Sequence, residues 1–453
     1  MAAGQRSKRI LGVPDEFWIA FVIMIGIFLK LIYAINADPS VAGYGLGQWL
    51  ESGGEEPHSG TLGVIQYYCT HRFLPDFDPR LVSGFVNPPL YSLISAVFMG
   101  ITHGLLGWST EVCLHLLMCL NAFYVTAASF GGIRLLFRYG IRGRALTVGI
   151  LVLTFFPGMY NLTAVIGPEA LAFMLTMLTV TSAFDWFETR KKTQMTGTAV
   201  LFGLAMMTGY QAVMILPLLG LIFYTALRDG RRYRAALPDQ LKRFGLISGT
   251  MSLLWPVYNL IRFGLPPFSP EPVREAWQSL EGSCSLLQRV LFPPGGAFDS
   301  LHLIRNPQTE YNIWAQTFKT AAVDYQAVDL SSGPGRFFAG LILGLSIALC
   351  LLWHLMWIRE MIRNPVRQPL RLFLAAGYLS MLFLYLVWCL ARDSITAMTF
   401  RLIPGIFFFL LIGMSLGGEG ASGDLFHRIL FRISSWGALI FAAVTAFTFG
   451  FFP

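Results

Sequence analysis

The chain has 453 residues, of which 55% are hydrophobic and 13% charged, and its formal net charge is +8. Average soluble domains carry roughly 25% charged residues, so this composition excludes an ordinary soluble enzyme. The basic balance does not indicate nucleic-acid binding either, because its distribution follows membrane topology.

Residues 1–16 are polar and carry Arg6, Lys8 and Arg9, with no cleavage-type signal after them, so the first apolar run reads as a retained helix. Apolar runs of bilayer-crossing length predict eleven spanning helices, near 17–36, 111–137, 145–165, 168–187, 195–209, 210–228, 243–262, 335–358, 369–391, 398–417 and 430–450. The run from Pro88 to about Leu106 is a contested twelfth. If it does not cross, the amino terminus is cytoplasmic and the carboxyl terminus outside. The cytoplasmic segments then gather the clusters Arg6–Arg9, Arg134–Arg144, Arg190–Lys192, Arg228–Arg243, Arg359–Arg371 and Arg428–Arg432, which hold 22 of the 33 Lys and Arg residues. If it crosses, every later cluster flips outward. The run is therefore expected to lie on the outer face, with Asn87 as its cap and Pro88 in its first turn. Ser92, Ser95, Thr102 and His103 fall near one stripe, as an interfacial helix requires.

This gives a cytoplasmic start (1–16) and an amino-terminal membrane module (17–262) with a large outer loop (37–110) that includes the interfacial helix at about 88–106. A second outer loop (263–335) and carboxyl-terminal membrane helices (336–453) follow. Loops of that size are more often functional than connective, so the chemistry is expected outside. No CxxC, HExxH or P-loop pattern is present. Cys113, Cys119, Cys350 and Cys389 fall in apolar runs, while Cys69 and Cys284 fall in outer loops where a bridge is conceivable.

Four places carry candidate chemistry. Asp38 directly follows the first span, where a carboxylate can act as general base or can close the helix as an Asp-Pro turn. Asp76 and Asp78, in LPDFDPR, can share a cation but read first as turn formers. Glu169, in GPEAL, either stabilises a helix start or serves as an acid at the outer membrane boundary. Arg401 is a cation on the outer side, where topology does not call for one, and a guanidinium suits a phosphate. Its alternative is a snorkelling residue. Arg392, Tyr91, Asn87 and His58 complete the substrate-binding candidates. Asn161-Leu162-Thr163 matches a glycosylation sequon but lies at a membrane boundary.

These pieces occur in a particular order: an acid in the first outer loop, then Pro88-Pro89-Leu90-Tyr91, then Gly167-Pro168-Glu169-Ala170-Leu171. The stretch Tyr311–Ala321 (YNIWAQTFKTA) and Arg401-Leu402-Ile403-Pro404 follow. Over most of its length the chain resembles integral-membrane glycosyltransferases of the GT-C fold, near the protein O-mannosyltransferases and the lipid A aminoarabinose transferases. The resemblance implies an all-α polytopic membrane protein with outer-face juxtamembrane helices, in the bacterial plasma membrane. It implies transfer of a sugar from a polyprenyl phosphate to a lipid, glycan or protein acceptor with inversion. Asp38 would be the base, Glu169 a supporting acid and Arg401 the phosphate holder, with no cofactor required beyond an optional divalent cation. Bacterial relatives often carry His-Asp-x-Gly in the first loop. Here Gly43–Gly47 has no acid, and counting back from Leu50-Glu51-Ser52-Gly53 selects Asp38 instead. Two alternatives stand beside the enzyme: a non-catalytic scaffold that binds a polyprenyl lipid or a membrane-protein partner, and a lipid or solute transporter.

Overall fold

The computed structural model describes residues 9–10, 13–39, 46–50, 58–71, 73–229, 236–266, 279–280, 284–291, 293, 298, 310–323, 332–363, 369–392, 394–419 and 425–451. Much of the predicted second outer loop and the stretch Gly43–Gly45 lie outside the described residues. The chain is an all-α multi-pass membrane protein. The described strands are one short antiparallel pair, β1 (Arg9–Ile10) with β2 (Val13–Pro14).

The helices are α1 (Asp15–Asn36), α2 (Gly60–His71), α3 (Leu90–Met99), α4 (Thr110–Arg138), α5 (Gly143–Phe155), α6 (Pro157–Ala164), α7 (Glu169–Thr189) and α8 (Lys192–Thr208). They continue with α9 (Leu216–Asp229), α10 (Leu237–Phe263), α11 (Leu286–Leu291), α12 (Ile313–Ala322), α13 (Gly333–Arg363), α14 (Pro369–Ala391), α15 (Pro404–Glu419) and α16 (Leu425–Phe451). Among the described residues, nine helical stretches are long and apolar enough to cross a membrane. The other two predicted spans are helical as well, α8 with 17 residues and α15 with 16. The contested run forms α3 and a wider turn, Gly100–Leu105. At 1.5 Å per residue, Leu90–Leu105 is about 24 Å long, short of a bilayer core of about 30 Å.

Several local expectations need correcting. α3 starts at Leu90 with Pro89 in the capping position, so the exposed Asn87 does not cap it and Pro88 lies before its first turn. Two prolines in sequence hold the entry chain outside the helix, since each lacks a donor and restricts the residue before it. α7 likewise starts at Glu169, one residue beyond Pro168. No disulfide joins Cys69 to Cys284. The polar stripe of the run Leu90–Leu105 turns inward, with Ser95 and Thr102 buried. Leu93, Val97, Ile101 and Leu105 are the exposed residues, which is the orientation of a helix that meets lipid rather than water.

Bilayer helices associate through packing rather than through a hydrophobic drive, so close approach matters. Gly26 shows this where α1 crosses α5: a Cβ there would stand 2.0 Å from Thr154 Cγ2. One turn on, Lys30 is buried and donates from Nζ to the Thr154 carbonyl at 2.7 Å. Near the predicted cytoplasmic ends the basic cluster is partly neutralised. Asp185 receives Arg138 at 2.5 Å and Arg134 at 2.7 Å, and Glu360 pairs with Arg371 at 3.0 Å.

Candidate functional site

Two polar groups form near the predicted outer ends of the helices, and both depend on the break between α5 and α6. Phe156 is extended there (φ −67°, ψ 125°), and Pro157 opens the eight-residue α6 in a new direction. Gly158 lets the 3₁₀ turn Phe400–Leu402 come close. A Cβ at 158 would meet the Phe400 ring at 2.6 Å.

The first group surrounds Tyr91. Asn121 of α4 donates to the Val165 carbonyl at 2.5 Å and fixes the loop that carries Glu169 into the first turn of α7. The Glu169 carboxylate folds back over this loop, and a Cβ on Gly167 would stand 2.3 Å from its Oε2. The buried Tyr91 hydroxyl faces Ser95, Asn121 and Glu169. Burial pushes its ionisation above the usual phenol range, and the carboxylate adds to that shift. Tyr91 therefore keeps its proton and can donate beside an acid at the membrane boundary.

The second group is carried by α12, an amphipathic helix. Asn312 caps it, accepting from the Ala315 amide at 3.0 Å. On one side Thr320 accepts from the Phe400 amide at 2.9 Å, and its carbonyl receives Asn161 of α6 at 3.3 Å. Lys319 and Glu310, 2% and 0% exposed, pair at 3.6 Å. Gln316, 1% exposed, has no hydrogen-bond partner for either side-chain polar atom among the described residues. Arg401, also buried, follows Phe400 in the turn that Thr320 holds.

The opposite side of α12 is different in character. Trp314, Thr317, Phe318 and Ala321 line a cavity of about 360 Å³ that runs between α13, α14 and α15. Its walls are mostly aromatic and aliphatic, including Phe156, Trp353, Leu382 and Phe407. Hydrogen bonding is confined to a few places: Thr317 to Tyr385 at 2.8 Å near α12, and the His354–Tyr378 pair deeper between α13 and α14.

The structure therefore brings Tyr91 together with Glu169, and buries Arg401 in the turn whose Phe400 amide bonds to Thr320 of α12. Asp38 is exposed just past the carboxyl-terminal end of α1. Arg392 is half-buried, with its guanidinium 3.7 Å from the Trp388 ring centre. The half-buried His58 and the exposed Asn87 make no side-chain hydrogen bond to either group among the described residues. Asp78 is held in a turn by Arg80, at 2.6 Å, and by the Arg80 amide, at 2.9 Å, as the turn reading expects. Asn161 is 1% exposed and bonded to α12, which leaves no acceptor side chain for a glycan. Among the described residues, no three His, Cys, Asp or Glu side chains group as a metal site.

Sequence reasoning passed over Lys319, Glu310, Gln316 and Asn121. The alternation of Asn312, Gln316, Lys319 and Thr320 with Trp314, Phe318 and Ala321 was the available signal for Lys319 and Gln316, while Glu310 lies before the helix and outside that pattern.

No family model matches the chain, and no curated protein matches it. Among solved structures, the chain is similar to ArnT from Cupriavidus metallidurans in the apo state. Identity there is 13%, over 90% of this chain and 79% of that one, with a TM-score of 0.38. It is similar also to ArnT from Cupriavidus metallidurans bound to undecaprenyl phosphate, at 13% identity over 89% of this chain and 78% of that one, with a TM-score of 0.40. Both scores lie below 0.5, and no residue of this chain takes a role from them.

Proposed function

We propose that this chain is a membrane glycosyltransferase of the GT-C type that takes a sugar from a polyprenyl-phosphate donor on the extracytoplasmic face. One observation carries the reading. A single helix, α12, has an apolar cavity on one side and the buried Lys319, Gln316 and Thr320 on the other, and Thr320 holds the turn that carries the buried Arg401. A molecule with a long apolar chain, a phosphate and a polar head divides in the same way. The cavity suits the isoprenoid chain, and Arg401 suits the phosphate.

In this reading the sugar lies outward of α12, toward the group around Glu169 and Tyr91. Asp38 removes a proton from the acceptor hydroxyl or amine as the acceptor attacks the anomeric carbon. The glycosidic C–O bond to phosphate breaks with inversion. The phosphate leaves with both electrons of that bond, and its developing charge is met by Arg401. Glu169, with the protonated Tyr91 beside it, orients the acceptor. The reading places the amino terminus inside and the carboxyl terminus outside, with α3 seated on the outer face.

The experiment is sugar transfer in nanodiscs from a panel of polyprenyl-phosphate sugars. Wild type is compared with Asp38→Asn, Glu169→Gln and Arg401→Ala, each first checked for wild-type thermal stability. Arg401→Ala should lower kcat/KM for the donor by about 100-fold, a loss of roughly 2.7 kcal/mol. Transfer that survives unchanged in all three variants rejects the assignment. Absence of transfer with every donor, together with polyprenyl phosphate retention, would favour the binding scaffold.

A further inference from the structure

The six-residue helix α11 is polarised the opposite way from a helix on a water-facing loop. Leu286, Leu287 and Leu291 are 60%, 65% and 58% exposed, while its one charged residue, Arg289, is 1% exposed. At 100° per residue, Leu286, Val290, Leu287 and Leu291 fall on one arc of about 140°, and Arg289 falls outside it.

The helix is also firmly built. Ser285 and Gln288 form a reciprocal capping box. The Ser285 amide donates to Gln288 Oε1 at 2.8 Å, and the Gln288 amide donates to Ser285 Oγ at 3.3 Å.

Its depth follows from Arg289. That guanidinium donates to the Cys389 carbonyl, within the last turn of α14, and to the Arg392 carbonyl at 2.9 Å. α11 therefore sits where α14 leaves the bilayer. On α14, Leu379, Phe383 and Val387 recur every four residues and are 58%, 64% and 45% exposed, which is a lipid-facing stripe. The Trp388 ring with Arg392 over it marks the boundary above the stripe. α11 thus lies beside the carboxyl-terminal end of a helix whose exposed stripe is apolar.

We infer that α11 is seated in the outer leaflet as the membrane anchor of the second outer loop, with its leucine face covered by lipid acyl chains. The anchor is coupled to the candidate site. Trp314, which lines the cavity, donates from Nε1 to the Val290 carbonyl at 2.8 Å, and Asn312, the cap of α12, donates to the Arg289 carbonyl at 3.2 Å. Lipid contact at α11 thus fixes the position of α12.

The test places an environment-sensitive nitrobenzoxadiazole label on Leu287→Cys and, separately, on Leu291→Cys. The full chain is held in nanodiscs of phosphatidylcholine and phosphatidylglycerol, and signal from the unsubstituted chain is subtracted. Both side chains are exposed, so neither substitution disturbs packing. The expected result is blue-shifted emission at both positions, with most of it lost on replacing the lipid by its brominated form and little lost to iodide. Quenching by iodide but not by brominated lipid would overturn the inference, because the face would be in water. Quenching by neither would overturn it as well, because protein would cover the face, either another part of the chain or a second copy.

Discussion

The pair Lys319–Glu310 offers a sharp test, because the cost of splitting it can be worked from its burial. Both side chains are almost fully removed from solvent, at 2% and 0% exposure, and 3.6 Å separates the charges. At an effective dielectric constant near 20, their gross attraction is about 5 kcal/mol. Desolvation offsets much of this, so the pair adds little net stability as a whole. Removing one partner is different, since it leaves a buried charge uncompensated. Lys319→Met and Glu310→Gln should each lose about 3–5 kcal/mol. The double variant should return to within about 1–2 kcal/mol of wild type, a coupling larger than ordinary neighbours show. The assay is reversible unfolding in mixed micelles, read by tryptophan fluorescence. Singles that each lose less than about 1 kcal/mol, or a double that equals their sum, would refute a buried coupled pair. Function separates from stability in the same cycle. If Lys319 supports the phosphate, the double variant stays folded yet transfers sugar poorly.

Three further outcomes are expected. Asn121→Ala removes the 2.5 Å donation to the Val165 carbonyl and should cost about 1–3 kcal/mol; faster amide exchange confined to residues 165–169 would show that the loop bearing Glu169 has loosened. Ser346→Phe puts a ring into the 360 Å³ cavity and should reduce polyprenyl phosphate retained in native mass spectra without lowering the melting temperature, whereas unchanged retention would place the chain elsewhere. The Arg80 side chain, hydrogen-bonded to Asp78, holds that carboxyl below the usual carboxylate range. Its contribution is therefore complete above the unfolded value of about 3.9 and is lost only as pH falls through the lower folded value. For so exposed a pair, Asp78→Asn should change stability by less than about 1 kcal/mol, leave the profile between pH 5 and 8 flat, and leave transfer intact.

The spans were legible because lipid demands long apolar runs, and each predicted span is helical. The break at Phe156-Pro157 was not read, because one predicted span ran straight through it, although a proline inside an apolar run was its mark. Arg401 was legible as a cation without a topological reason, and it is buried beside α12. Lys30 carried the same signal, a charge inside an apolar run, and went unused. Lys319 was harder, because it sits in a polar outer loop where a lysine draws no notice until the helix around it is seen to be amphipathic. Asn121 shows another limit. Its function is to hold a carbonyl 44 positions away, and no local pattern encodes that pairing.

Lys30 explains how the fold accommodates its own break. A helix interrupted inside a bilayer leaves carbonyls that no water can reach, and each costs several kcal/mol. α5 stops at Phe155, so the carbonyls of its last turn, Thr154 among them, have no in-helix donor. The Thr154 carbonyl is taken instead by Lys30 Nζ. A lysine can reach it because Gly26, one turn earlier on the same face of α1, lets the two helices approach until only a hydrogen fits against Thr154. Lys30 Nζ in turn lies 5.0 Å from the centre of the Tyr160 ring, on the segment that the break redirects. With the carbonyl satisfied, α6 is free to leave the axis of α5. Asn161 then reaches the Thr320 carbonyl of α12, and the Val165 carbonyl reaches Asn121. Both polar groups of the candidate site are positioned through that redirected turn. A lysine with no apparent place in the first span is thus the element that lets a buried helix end exist, and the site is built on that end.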